Sequence, residues 1–343
     1  MKAVQIVGLG EPLQLHEVPQ PEPGPGEIRI KVQAAGICHS DVHYRDGTAD
    51  VGFVPITPGH EVAGVVDKLG AGVSSVALGD RVALHYLLTC GQCDYCRRGL
   101  EQFCPEARML GKDVDGGYAE YVVVPARNAV HVADSVGIAA AAIMMCSSAT
   151  AFHALRRARI RAGDRVAVFG VGGLGMSGLQ LTRACGATEV FAVDTDAGKL
   201  KVAESYGARP INPADGAVEQ QLREATQGRG VDVALECAGL PVTQQQALAS
   251  LAVHGRLALA GIAGEAFAVD SYATVINREA EIVGVSDHLY GELTTLMEFA
   301  RGGLLDLDSV ITERLALDAA EINRHLDSLA GFHGSTRSVI VFD

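Results

Sequence analysis

Four cysteines in one short run constrain this chain more than any other feature. Cys90-Gly-Gln-Cys93-Asp-Tyr-Cys96 runs on through Arg97-Arg-Gly-Leu-Glu-Gln-Phe103 to Cys104, the spacing C-x2-C-x2-C-x7-C. Four thiolates close on one tetrahedral zinc with no open coordination position, so such a site stabilises a loop and does no chemistry. The alternatives are four unrelated cysteines or two disulfides. Half of the chain's eight cysteines fall in this run, which favours a single metal site. Metal-bound rather than paired thiols suit a reducing cytoplasm.

The chain has 343 residues, enough for two domains. Its formal charge of −13 argues against nucleic acid or an anionic membrane as partner, because both require a basic face. The same charge weakens a reading of the cysteine run as a nucleic-acid zinc ribbon. Met1 to Gly8 lacks the apolar core of a signal peptide, and no stretch reads as the roughly 20 apolar residues of a membrane span.

Residues 1–150 read as β-rich. Ile28, Ile30 and Val32 alternate with Arg29, Lys31 and Gln33, the period of a half-buried strand. Further β-branched runs between Glu61 and Leu84 are broken at Gly70, Gly72 and Gly79-Asp80. The pattern changes near residue 160. Strands are predicted at Arg165–Gly170, Val190–Val193, Val231–Glu236 and Arg256–Ala260. Helices follow to about Ala184, over Lys199–Tyr206 and over Gln244–Leu251. Strands alternating with helices mean βαβ units and a parallel sheet, so the fold class is α/β. A helix over Asp318–Leu329 and a strand at Ser338–Phe342 follow a sheet that reads as complete near residue 287. The tail, 288–343, is therefore expected to return to the first domain, leaving 151–287 as the second. The run Arg156-Arg-Ala-Arg159-Ile-Arg161 reads as solvated surface.

Gly170-Val-Gly172-Gly173-Leu-Gly175 directly follows a strand and opens a helix. In that context the glycines permit a tight turn and let the backbone approach a pyrophosphate at the helix N-terminus. Asp194 closes the next strand, where a carboxylate accepts hydrogen bonds from ribose hydroxyls and repels a 2′-phosphate. The cofactor expected is NAD. Elsewhere Cys38, in Gly36-Ile-Cys38-His39-Ser40-Asp41-Val-His43, His60, in Pro58-Gly-His60-Glu61, and Cys146, in Met144-Met-Cys146-Ser, have zinc-ligand chemistry. Two thiolates and an imidazole would leave a fourth position open, as an active metal needs. Read singly, Cys146 fits the core and His60 a loop, and spacing alone does not join them.

Together, Gly36–His43, Gly59-His-Glu-Val-Ala-Gly64 running on to Gly79-Asp-Arg-Val82, the four-cysteine lobe at about 88–106, Gly170–Gly175 and Asp194 closely resemble the zinc-dependent medium-chain alcohol dehydrogenases, over essentially the full chain. The resemblance implies a GroES-like β-domain, a Rossmann domain and an active cleft between them. It implies two zincs per chain: Cys38, His60 and Cys146 on the catalytic one, and Cys90, Cys93, Cys96 and Cys104 on the structural one. It implies that Ser40 bonds the substrate hydroxyl and that His43 relays the proton onward. Asp41 would orient the His60 imidazole, and Glu61 would lie behind the zinc as a neighbour or transient ligand. His39 and Arg337 match positions contacting the cofactor pyrophosphate, and Lys199 one near the adenosine ribose. Bacterial and archaeal members of this length imply a homotetramer acting on a small alcohol or carbonyl compound. A zinc-free enone or quinone reductase of this fold would lack the ligand set. Polyol dehydrogenases often place a glutamate where Cys146 stands, which favours a simple alcohol without excluding a diol. A catalytically silent zinc protein would have no use for Ser40 and His43. Cys185 and Cys237 are expected at buried apolar positions.

Overall fold

The longest strand of the first unit, Glu27–Ile37, follows the alternation of its residues, with Ile28, Ile30 and Val32 fully buried. Each such side chain contributes about 1.5–3 kcal/mol on burial. Arg29, expected to face solvent, is buried as well. Asp67 and Glu22 meet its guanidinium at 2.6 and 2.9 Å, and it lies 5.4 Å over the Tyr121 ring. Paired in this way, the charge is tolerated inside.

The computed structural model describes residues 1–331 and 337–342. It divides into two units. The first comprises Met1–Cys146, Leu289–Arg301 and Asp306–Asp343, and the second Ser147–His288 with Gly302–Leu305. The division falls four residues before the expected 150, and a short piece of the tail belongs to the second unit.

In the first unit a mixed sheet runs in the order Ile311–Leu315, Arg337–Val341, Glu27–Ile37, Glu61–Leu69, Arg81–Leu84, Ala129–His131. Tyr121–Pro125 also pairs with Glu27–Ile37. The C-terminal strand lies antiparallel to the end of Glu27–Ile37, with Ser338 opposite Ile37 and Val339 opposite Gly36. Leu87–Leu88 pairs with Arg108–Met109 and closes the neck of the four-cysteine lobe.

The second unit is a parallel six-stranded sheet in the order Arg209–Ile211, Glu189–Val193, Arg165–Phe169, Val231–Glu236, Leu251–Leu259, Glu281–Gly284. Its strands read as near-continuous apolar runs because helices cover both faces. The order reverses between Arg165–Phe169 and Val231–Glu236, the switch point where such sheets bind ligands.

One helical run, Ile138–Arg157, is long and apolar enough to cross a membrane by length and composition, contrary to the expectation that no stretch is. Its side chains are mostly buried within the protein, as in a core helix. Cys185 and Cys237 are half-buried rather than buried.

Candidate active site

Cys38 leaves the strand Glu27–Ile37 and caps the helix His39–Asp46. Asp41, in the third helical position, accepts the Cys38 backbone N–H on Oδ2 at 2.9 Å, completing a capping box. The same carboxylate aims Oδ1 at His60 Nδ1, 3.6 Å away. His60 follows Gly59, whose φ of +96° is a left-handed conformation that favours glycine. Cys146 lies in a single wide π-helical turn, Met144–Ser148, inside the helical run Ile138–Arg157. Such turns shift the side-chain register of a helix and recur at functional sites.

These elements converge. One ligand atom each from Cys38, His60, Glu61 and Cys146 lies within 4.8 Å of all the others. Cys38 Sγ and Cys146 Sγ are 4.0 Å apart. His60 is fully buried, and neither Nδ1 nor Nε2 has a hydrogen-bond partner among the described residues, the Asp41 carboxylate standing just beyond hydrogen-bond reach of Nδ1. A buried imidazole nitrogen beside two thiols is chemically incomplete without a metal, and the donor set fits zinc. The three groups also perturb one another's titration. The Cys146 hydrogen bond draws the Cys38 thiol well below the usual range, against the opposing effect of burial and with further help from His60. Donating to Cys38 holds the Cys146 thiol up. Burial alone would lower the pKa of His60, but Asp41 and Cys38 outweigh it and hold it well above normal.

Glu61 is also fully buried. Burial pushes its carboxyl up to about 7 although Arg337 opposes the rise. Arg337 is buried too and donates from Nη2 to Glu61 Oε2. Its sequence expectation placed it on a pyrophosphate; the structure gives its charge a partner in Glu61. Gly36 makes room for this pair, since a Cβ there would stand 1.9 Å from Glu61 Oε2.

Ser40 Oγ lies 3.8 Å from Cys38 Sγ, on the first turn of the same helix. His43 is half-buried one turn on, its ring centroid 5.0 Å from that of His39. Burial lowers the pKa of His39, and His43 adds to the effect. Aromatic neighbours escaped the sequence reading. The Tyr86 ring packs edge-on against His60 with centroids 5.2 Å apart, and Tyr44 stands at 6.4 Å. Nothing in the sequence flags them, because each reads as an ordinary core aromatic.

The four-thiol set also gathers within 4.8 Å. The backbone N–H groups of Cys93 and Cys96 point at Cys90 and Cys93 sulfurs at 3.3 and 3.5 Å, and that of Cys90 at Cys104 sulfur at 3.4 Å. Backbone donors at Gln92 and Cys93 pull the Cys90 thiol down to about 7, while burial leads the rise of Cys96 to about 11.

In the second unit Gly170 adopts φ +83°, and the helix Gly173–Ala184 begins directly after Gly172. A Cβ at Gly175 would stand 2.0 Å from the Gly170 carbonyl oxygen, so only glycine lets helix and strand approach so closely. A Cβ at Gly172 would meet nothing within 4 Å, an open cradle above the amides. Asp194 does more than end a strand: Oδ2 accepts the Val171 N–H and Oδ1 the Asp196 N–H, both at 2.9 Å. It therefore ties the glycine loop to the following turn. Lys199 is half-buried in the first turn of the helix Ala197–Ser205, which Asp196 caps.

Family models and known proteins match this chain along its length. The model of the alcohol dehydrogenase GroES-like domain matches residues 24–134, and that of zinc-binding dehydrogenases residues 173–301. An NAD-dependent alcohol dehydrogenase of Sulfurisphaera tokodaii is 31% identical, covering 99% of this chain and 100% of that one. A crystal structure of an NAD-dependent alcohol dehydrogenase superposes with TM-score 0.93 at 29% identity over 100% of both chains. A zinc-binding dehydrogenase of Sinorhizobium meliloti, solved with NADP, superposes with TM-score 0.91 at 29% identity over 99% of each chain.

Proposed function

The chain belongs to the zinc-dependent medium-chain alcohol dehydrogenase family, and from that premise we propose that it interconverts alcohols with aldehydes or ketones, using NAD and one catalytic zinc. The observation that carries the proposal is the convergence of Cys38, His60 and Cys146, with the imidazole nitrogens buried and without a hydrogen-bond partner among the described residues. Cys38, His60 and Cys146 would hold a zinc, which would supply Lewis acidity toward the alcohol. NAD held at the Gly170–Gly175 loop would supply the hydride acceptor.

The remaining work falls to this chain's own side chains. Asp41 keeps the His60 ring in one orientation. Ser40 Oγ, next to the Cys38 sulfur, accepts a hydrogen bond from the alcohol hydroxyl and relays the proton, giving up its own hydroxyl proton toward His43 as it receives the alcohol's. His43, one turn along the helix, carries that proton toward solvent. Glu61 stays beside the sulfurs, held by Arg337, and that pairing favours support of Glu61 over a pyrophosphate contact as the role of Arg337. His39 and Lys199 serve the cofactor at its pyrophosphate and adenosine ribose. The amides of the Gly170–Gly175 loop receive the pyrophosphate, and the Asp194 carboxylate favours a free ribose over a 2′-phosphate. The Cys90, Cys93, Cys96 and Cys104 thiolates hold a second zinc with a structural role. A cytoplasmic homotetramer is the corresponding assembly, to be checked by light scattering.

The test is NADH formation at 340 nm with a panel of primary, secondary, benzylic and vicinal-diol alcohols, before and after dialysis against a chelator. Turnover that disappears on metal removal and returns with zinc supports the proposal. Turnover that survives complete metal removal, or no turnover with any alcohol or carbonyl compound by the metal-replete protein, refutes it.

A further inference from the structure

Asp41 is almost fully buried, and its orientation of His60 needs explaining, because a buried carboxylate takes the direction its hydrogen-bond donors impose. Two donors converge on Oδ2: the Cys38 backbone N–H at 2.9 Å and the Tyr118 hydroxyl, also at 2.9 Å. With Oδ2 held from two sides, Oδ1, which has no hydrogen-bond partner among the described residues, is left facing His60 Nδ1 at 3.6 Å. Tyr118 is itself fully buried and comes from a segment 77 residues away in sequence.

The segment carrying Tyr118 also grips the loop that carries His60. Gly116 N–H donates to Thr57 O at 2.7 Å, Gly117 N–H to Gly59 O at 2.8 Å and Tyr118 N–H to Pro58 O at 3.0 Å. The Tyr118 ring lies so close to Gly59 that a Cβ there would stand 2.3 Å from its Cδ1. Tyr118 thus touches the chain on both sides of the imidazole: its backbone and ring fix the residues just before His60, and its hydroxyl fixes the carboxylate facing His60.

We infer that Tyr118 is a positioning residue for the metal centre, acting through Asp41 to hold the His60 imidazole in its ligating orientation. The inference rests on the reading of Cys38, His60 and Cys146 as metal ligands. Partners outside the ligand shell of metal sites change metal affinity or activity by about 10–100-fold when removed. Tyr118 is one bond further out than Asp41, so an effect at the lower end is expected.

Tyr118→Phe deletes only the hydroxyl and keeps the ring against Gly59. The experiment follows zinc release to a chromophoric chelator from the parent and from Tyr118→Phe. The phase that Cys38→Ser abolishes is assigned to the His60 centre, and the remaining phase to the four-thiol lobe. In Tyr118→Phe the His60-centre phase is expected to run about tenfold faster, with the lobe phase and the melting temperature unchanged. Cobalt substituted at the same centre should show shifted ligand-field bands in the variant, reporting a moved imidazole without reference to turnover. Unchanged release and unchanged bands would overturn the inference and leave the metal reading standing. Equal acceleration of both phases with a lowered melting temperature would also overturn it, since that marks a packing residue. If the parent itself shows no phase sensitive to Cys38→Ser, the metal reading fails first.

Discussion

Replacing Asp194 by asparagine removes a charge with almost no change of shape, and the structure sets what should follow. In the parent both carboxylate oxygens accept backbone amides, from Val171 and Asp196, at 2.9 Å each. An asparagine keeps one acceptor and turns an NH₂ toward the other amide, so one of the two turns loses its bond at a cost of about 1–3 kcal/mol. That cost loosens the loop for NAD and NADP alike and cancels in their ratio. The charge effect does not cancel. A carboxylate ~4 Å from one phosphate charge is repelled by roughly 4 kcal/mol at an effective dielectric of ~20. Even half of that, about 2 kcal/mol, corresponds to roughly a 30-fold change in relative specificity. The assay is kcat/KM for NAD and for NADP with one alcohol at fixed ionic strength, in the parent and in Asp194→Asn. The parent should prefer NAD, and the variant should lose kcat/KM with NAD while its NAD-to-NADP ratio shrinks by about 30-fold or more. A ratio that moves less than threefold, or a parent that uses both cofactors equally, would refute the reasoning.

Ser40→Ala should lower the alcohol oxidation rate by about 10²–10⁴-fold, the usual contribution of a positioned proton-transfer group. His43→Gln should cost less and regain rate with added buffer base; a rate indifferent to buffer, with the parent pH profile, would make His43 a packing residue. Gly36→Ala would place a methyl 1.9 Å from Glu61 Oε2, so an overpacking loss of about 1–3 kcal/mol and weakened metal retention are expected, measured by denaturant unfolding and metal analysis. Burial lowers the pKa of His85 from 6.5 to about 4. Between those values the unfolded chain binds more protons than the folded one, so stability falls as pH drops below about 6.5 and levels off near 4. At pH 5 the loss relative to pH 7.5 is about 2 kcal/mol, and His85→Gln should melt with a correspondingly flatter pH dependence; superimposable pH curves would contradict this.

The second unit was legible because a parallel sheet covered on both faces writes its strands as unbroken apolar runs. Val231–Glu236 has the bounds read from sequence, and Glu189–Val193 differs by one residue. The short strand Arg209–Ile211, with a proline at its centre and two exposed residues, carries no such signal and went unread. Neither did Tyr121–Pro125 register, since its regular alternation of half-buried and buried positions is written with three successive valines and so leaves no polar-apolar period in the sequence. Arg29 reads as a solvent-facing residue until Asp67 and Glu22, distant in sequence, are seen beside it. The same limit governs the candidate site. The capping relation of Cys38 and Asp41 is local and could be read. The meeting of Cys38 with Cys146 spans 108 residues and depends on a wide helical turn with no clear sequence mark. Only the family resemblance joined them beforehand. The bonds of Tyr118 to Asp41 and of Arg337 to Glu61 had no such help, because each side chain alone has a bland reading.

Metal content measured together with turnover, in the parent and in Cys38→Ser and Cys96→Ser, tests the central claim most directly. The account expects two zincs per chain in the parent. Cys38→Ser should remain folded with one zinc and no turnover. Cys96→Ser should lose melting temperature first, because a closed four-thiolate site contributes folding energy. A fully active parent holding at most one zinc per chain, or a Cys38→Ser variant that retains turnover, would contradict it.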